Sequence, residues 1–260
     1  MRENKVKTLW SKDECALTGW LAIPSSLSAE MMAQQDFDAV TVDMQHGAAD
    51  YADMLSMLQA ISTTDKTPMV RVPWNDPAII GRVLDAGAYG VICPMVNTAA
   101  ECKAFVEACR YYPEGGRSVG PIRAGLYGGS DYFPNANKTI ITMAMIEHKD
   151  GVANLDAILA TPGLDAIFVG PSDLAVSMDH APGFDPKWPD VKEAIALIAE
   201  RCIAAGVVPG IHVGSVAAGE EMRQLGYKFI AYLSDFRMLQ MAYAQALPAL
   251  RAGKPVPNVP

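Results

Sequence analysis

The sequence predicts an α/β fold, a single (β/α)8 TIM barrel. Three observations carry that expectation. Short β-branched or apolar runs alternate with longer segments whose apolar residues recur every three or four positions, as buried strands and one-sided helices do. Eight such units occur, and eight units in 260 residues fit a closed barrel of ~250 residues better than an open sheet. No G-x-G-x-x-G follows any strand, which removes the dinucleotide signature of a doubly wound sheet.

Strands are expected at 17–23, 39–43, 69–73, 90–95, 139–147, 166–170, 207–213 and 229–233. Helices are expected at 28–35, 51–62, 77–86, 99–111, 152–159, 191–205, 216–225 and 237–250, each with one apolar face. Strict alternation implies parallel strands joined by right-handed crossovers. Helix punctuation agrees: Asp76 is a cap followed by Pro77, and Gly87, Gly206 and Gly226 stand where helices stop. The whole chain, 1–260, is expected to be one barrel domain. Residues 113–138 hold six glycines and three prolines and come after the fourth strand. They are expected to form a long loop at the barrel's carboxyl-terminal mouth, where substrate choice would lie. Residues 253–260, with three prolines, are expected to be an irregular tail.

Composition narrows the partners. Half the residues are apolar and 19% are charged, enough for a large core and too little charge for a disordered chain. A net charge of -8 repels polyanions, so nucleic acid and anionic membranes are excluded as expected partners. A small anionic substrate would need a local cationic trap. The five cysteines, Cys15, Cys93, Cys102, Cys109 and Cys202, lack metal-binding or CxxC spacing and are read as reduced thiols of a cytoplasmic protein. The opening MRENKVKTLWSKDE has no apolar leader, and no run of ~18 apolar residues suggests a membrane span.

Polar residues at the carboxyl ends of the expected strands would line a barrel's mouth. The second strand ends at Asp43, with His46 just beyond; the third carries Arg71; the fifth ends at Glu147; the sixth leads to Asp173; the seventh contributes His212. Glu147 and Asp173 come from neighbouring strands. Two adjacent carboxylates share a proton, pair with a basic side chain, or ligate a hard divalent cation completed by water and substrate oxygens. Asp173 also suits a helix cap before LAVSM. Arg71 lies between Val70 and Val72, and an unpaired buried charge costs several kcal/mol, so it needs a carboxylate partner from protein or substrate. Asp43 and His46 could form a hydrogen-bonded base, whereas His212 in GIHVGS reads as a strand entering a helix.

The segments VDMQHG, RVPWND, LDAGAYGVICPMVNT, YYPEGGRSVGP, MIE and IFVGPSDLA, in that order, resemble the HpcH/HpaI aldolases. These are metal-dependent class II pyruvate aldolases typified by 4-hydroxy-2-oxoheptanedioate aldolase. The resemblance runs from the first strand to the last helix. It implies a barrel of the phosphoenolpyruvate/pyruvate type, assembled as a homo-hexamer with the last helix on a neighbouring subunit. It makes His46 the base, Arg71 the stabiliser of an enolate, and Glu147 and Asp173 the ligands of Mg2+, Mn2+ or Co2+. It also implicates Asp85, in LDAG, in tuning the histidine, a role the residues alone suggest for Asp43. Ser172, with backbone amides around Asp173, would receive the pyruvate carboxylate, as amides at a helix start suit an anion.

Two departures stand out. Met145 occupies a position near the substrate where relatives carry glutamine, and Gln45 precedes the histidine where they commonly carry glutamate. The implied reaction is reversible cleavage of a 4-hydroxy-2-oxo acid to pyruvate, or a related 2-oxo acid, and an aldehyde. The rivals are an oxaloacetate decarboxylase, a CoA-ester lyase on the same barrel, and a non-catalytic module that binds metal and oxo acid. A Schiff-base route would need a lysine at a strand mouth, for which Lys149 is the candidate.

Overall fold

The computed structural model describes residues 1–253. Residues 254–260, and with them most of the expected irregular tail, lie outside the described residues. Strands β1 (Ala16–Leu21), β2 (Ala39–Asp43), β3 (Thr67–Arg71), β4 (Gly90–Cys93), β5 (Ile141–Ile146), β6 (Ala166–Val169), β7 (Val208–Val213) and β8 (Phe229–Tyr232) close a barrel in chain order. Every neighbouring pair is parallel, including β8 with β1.

Helices α1 (Lys5–Ser11), α2 (Ser26–Ala33), α3 (Tyr51–Ile61), α4 (Pro77–Asp85) and α5 (Ala99–Cys109) come first in the chain. They are followed by α6 (Ile122–Gly128), α7 (Tyr132–Thr139), α8 (Lys149–Ala153), α9 (Leu155–Leu159), α10 (Pro171–Ser177), α11 (Pro189–Ala205), α12 (Val216–Gln224) and α13 (Asp235–Arg251). Among the described residues, no helix is long and apolar enough to cross a membrane.

Successive strand residues point to opposite faces, and that period of two builds two separate cores. Val40, Val42, Val70, Val91, Ile146 and Val169 point outward and pack under the helices. Ala39, Met69, Ile92, Met143, Met145 and Phe168 point inward and fill the barrel's interior. Asp43, Arg71 and Glu147 continue this inward set at the carboxyl ends, where the apolar filling stops.

Three of the differences from expectation have clear physical causes. Helix α1 was not expected, because KVKTLWS is too short to show a period. It crosses the amino-terminal end of the barrel, where Val6 joins the inner core. There Trp10 sets its ring edge-on to Phe229 at 6.1 Å and donates its indole N–H to the Lys228 carbonyl. The helix expected at 152–159 is two helices, broken at Asn154, whose side chain donates to the Asn97 carbonyl instead of continuing the turn.

The third difference corrects the long loop at 113–138. That stretch holds α6 and α7, with Ala124, Tyr132 and Ala136 buried; its glycines and prolines hid a short helical pattern. Its location differs too. It comes after α5, which has already carried the chain back from the carboxyl-terminal mouth, so it sits beside the start of β5 at the other end.

Arg110 ties that end together. Its buried guanidinium donates to the carbonyls of Ile140 (2.8 Å) and Gly163 (3.0 Å), to Thr142 Oγ1 (3.2 Å) and to Asp165 Oδ2 (2.8 Å). Truncation to alanine removes these donors at once and leaves buried acceptors unpaired. Arg110→Ala should therefore lose about 3 kcal/mol of unfolding free energy, read from the urea midpoint at unchanged slope.

Candidate active site

The carboxyl-terminal mouth opens into a cavity of ≈ 560 Å³. Its lining includes Trp20, Asp43, His46, Arg71, Ser172, Asp173, Phe184 and His212. None of 113–138 and no lysine is among the described lining residues. Lys149 is exposed at the start of α8, away from this lining.

Asp43 and Arg71 are the last residues of β2 and β3 and face each other in register. Arg71 donates through Nε to Asp43 Oδ1 (2.9 Å) and through Nη2 to Oδ2 (2.6 Å), a two-point pair that fixes the guanidinium plane. The Trp20 indole N–H adds a bond to Oδ2 at 3.2 Å, and the guanidinium carbon lies 5.0 Å from the Trp20 ring centre. Burial alone would raise the Asp43 carboxyl, but the hydrogen bonds and charge of Arg71 outweigh it and hold the group below its ordinary value. Asp43 Oδ1 also accepts the backbone N–H groups of Gln45 (3.0 Å) and His46 (3.2 Å). Asp43 thus fixes the loop that carries His46. The direct carboxylate–imidazole bond expected from sequence is not among its contacts, because Arg71 and the amides occupy both oxygens.

Glu147 comes directly after β5 and is 2% exposed. Its Oε1 accepts the Met95 amide at 2.8 Å, and Met95 takes a left-handed backbone (φ 54) just beyond β4. Such a conformation in a residue other than glycine costs of order 1 kcal/mol, which the bond to a buried carboxylate offsets. Burial, with the nearby Asp173 charge adding to it, pushes the Glu147 carboxyl up to about 7 despite the Met95 bond. Opposite it, Gly170 leaves the room that a side chain would take: a Cβ there would meet Glu147 Oε2 at 2.4 Å. The second oxygen is therefore kept in a tight cradle without a basic partner.

Asp173 and Ser172 lie in the first turn of α10, which has no side-chain cap, so its first amides are left for another acceptor. No group of three or more His, Cys, Asp or Glu able to hold a metal occurs among the described residues. A pair of carboxylates, one of them buried and short of positive charge, does fit a hard divalent cation whose other positions go to water and substrate.

The remaining predicted residues lie elsewhere. Met145 is 1% exposed in the inner core, below the cavity, and offers it no polar group. Asp85 ends α4 near the start of β4, at the opposite end of the barrel, and accepts from Arg117 at 2.7 Å. Within this chain it is not brought to His46.

Sequence reasoning named His212 but missed the aromatic rings around it, Trp20 and Phe184. His212 is 8% exposed; Phe184 stacks on it at 4.7 Å and Trp20 meets it edge-on at 5.2 Å. Burial, then the Arg71 charge, lowers the imidazole to about 3, so it is neutral at physiological pH. Trp20 was detectable, since it falls on the inward face two residues from Thr18. Phe184 carries no such signal, because it lies in an irregular segment between α10 and α11.

Fold and site together define a closed parallel (β/α)8 barrel whose carboxyl-terminal mouth sets two carboxylates beside a fixed arginine. The chain belongs to the HpcH/HpaI aldolase/citrate lyase family, whose model matches residues 17–242. It is 43% identical over 249 residues to a hydroxypyruvate/pyruvate aldolase of Rhizorhabdus wittichii, covering 96% of this chain and 99% of that one. It is 37% identical over 241 residues to a 5-keto-4-deoxy-D-glucarate aldolase of Escherichia coli, covering 92% and 93%. Among solved structures, a family protein of Burkholderia cenocepacia superposes with a TM-score of 0.89 at 35% identity, over 95% and 99% of the two chains. The protein is accordingly an aldolase, an aldehyde-lyase.

The raised Glu147 carboxyl has a stability consequence. Its folded value, about 7, lies above the ordinary 4.5, so in that window the native state keeps a proton the unfolded chain has released. Stability then falls as pH rises through the window, by up to about 3 kcal/mol. Chelator-treated protein should unfold at lower urea at pH 8 than at pH 5, and Mn2+ should reduce the difference. E147Q should show a smaller pH dependence than the wild type.

Proposed function

We propose that the enzyme reversibly cleaves a 4-hydroxy-2-oxo acid into pyruvate, or a related 2-oxo acid, and an aldehyde. The observation that carries this reading is the Asp43-fixed Arg71 lining one cavity with His46, Ser172 and Asp173, with the buried Glu147 carboxyl set against Gly170 of the same lining and near Asp173. Glu147 and Asp173 would hold Mg2+, Mn2+ or Co2+. When bound, the cation supplies positive charge to the carboxylate and keto oxygens of the 2-oxo acid.

The protein's own groups do the rest. Amides of the first α10 turn and Ser172 receive the carboxylate. Arg71 donates to the keto oxygen, and because Asp43 already fixes its plane, no reorganisation is needed as that oxygen gains charge. In cleavage, His46 takes the proton of the 4-hydroxyl as the C3–C4 bond breaks, and returns a proton to C3 to complete the 2-oxo acid; in synthesis it takes the methyl proton and then gives one to the aldehyde oxygen. Asp43 tunes this base by holding its loop. The distance between Asp85 and His46 within one chain favours Asp43 for that role. Met145 makes the floor apolar, so specificity at that point rests on shape.

The proposal extends to the assembly. On α13, Phe236, Met238, Leu239, Met241 and Leu247 are each close to half exposed, and Asp235 is its one buried residue. An amphipathic helix with its apolar side uncovered fits a homo-oligomer, a hexamer on the family pattern, in which α13 seats on another copy. The chain would then act as one barrel domain on small molecules, without nucleic acid or membrane. Five free cysteines fit a reducing, cytoplasmic setting.

Exchange of pyruvate methyl protons with deuterated water tests the chemistry without an aldehyde. Exchange should require Mn2+, stop with chelator, and fall about 100-fold or more in His46→Ala and Arg71→Lys. Exchange that survives chelation would overturn the reading. For the assembly, Leu239→Glu combined with Met241→Glu should lower the mass measured by light scattering to that of a smaller species.

A further inference from the structure

We propose that Phe184 sets the length of aldehyde the enzyme accepts, by standing as a partition between the catalytic cavity and a second, largely apolar cavity. This rests on the aldolase reading above. Phe184 is the one residue common to the linings of both cavities, ≈ 560 Å³ on the catalytic side and ≈ 320 Å³ behind it, among the described residues. Ile195, Ile211, Val213, Met222 and Leu225 wall the second cavity, between α11, β7 and α12, and Lys192 and Glu221, paired at 3.7 Å, are also part of its lining.

Direction comes from the site. The 2-oxo acid occupies the side of Arg71, Ser172 and Asp173, so the aldehyde extends toward His212 and Phe184, with the Trp20 ring between them at 5.0 Å from Arg71 and 5.2 Å from His212. A short hydroxyaldehyde ends before Phe184. A longer aliphatic tail runs into the Phe184 ring, behind which lies an apolar space of the right character.

The ring is held by the segment that bears it. Asp185 Oδ1 accepts the Gly214 amide at 2.7 Å, and a Cβ on Gly214 would lie 3.0 Å from Phe184 Cβ, so the segment lies flat on the turn after β7. At its two ends His180 stacks on Trp188 at 4.7 Å and bonds both oxygens of Asp190 at 2.9 Å. Removing the phenyl ring leaves these anchors in place and joins the two cavities.

The test compares hexanal with glycolaldehyde as acceptors for pyruvate, on enzyme loaded with Mn2+. Phe184→Ala should raise the hexanal-to-glycolaldehyde ratio of kcat/KM about tenfold or more, as several methylenes gain an apolar pocket. Adding Ala218→Leu, which fills the second cavity, should cancel the gain, while Ala218→Leu alone keeps the wild-type glycolaldehyde rate. A ratio within about twofold of wild type overturns the proposal. So does a gain that persists with Ala218→Leu, or loss of pyruvate proton exchange from folded Phe184→Ala protein, which would put the ring in the 2-oxo acid half. Should Phe184→Ala fail to fold, Phe184→Leu is read the same way, with a gain of about threefold. Absence of exchange in the wild-type enzyme refutes the aldolase reading itself, and is seen before any aldehyde is added.

Discussion

The ion pair between Asp43 and Arg71 is the constraint on which the mouth of this barrel depends. It joins two adjacent strands at their last paired residues. It gives a buried arginine the only kind of partner that makes its burial tolerable, and it fixes the guanidinium before any substrate arrives. The same carboxylate gathers the Trp20 indole and the amides that lead to His46. One acidic side chain therefore positions an indole, a guanidinium and the loop that carries an imidazole, each from a different part of the chain.

The chain carries -8, and at the mouth the buried positive charge of Arg71 is already paired with Asp43. Glu147 is buried beyond comfort, and its cradle at Gly170 and its amide from Met95 hold it there. On the proposed function, a cation held there would gain two more oxygens from a 2-oxo acid, an attraction that is local and chelating and would favour small oxo acids over large polyanions.

Most of the architecture was legible because strands and helices of a barrel have strong, opposite periods. All eight strands lie within three residues of their expected ends. Asp43, Arg71, Glu147 and Asp173 were legible too, because polar residues at or just past a strand's carboxyl end are few in this chain. Shorter features escaped. Helix α1 has seven residues, and α6 and α7 are rich in residues that usually break helices, so neither presents a period. The placement of 113–138 failed for a topological reason: a segment after a crossover helix starts at the other end of the barrel. Asp43 reads as a mouth residue from its place at the end of β2, but sequence proximity points it to His46, whereas register pairs it with Arg71. Phe184 was invisible because nothing local announces a side chain whose role is to separate two spaces.

The plug formed by α1 has a kinetic meaning. With Val6 and Trp10 closing one end and methionines and phenylalanines packing the interior, the barrel is a vessel with a single opening. Whatever enters must leave by the same door. On the proposed function, the 2-oxo acid seated deepest, against Arg71, would be the first to arrive and the last to depart, with the aldehyde coming and going above it. Order of binding would then be a matter of depth, set in part by a seven-residue helix at the far end of the barrel.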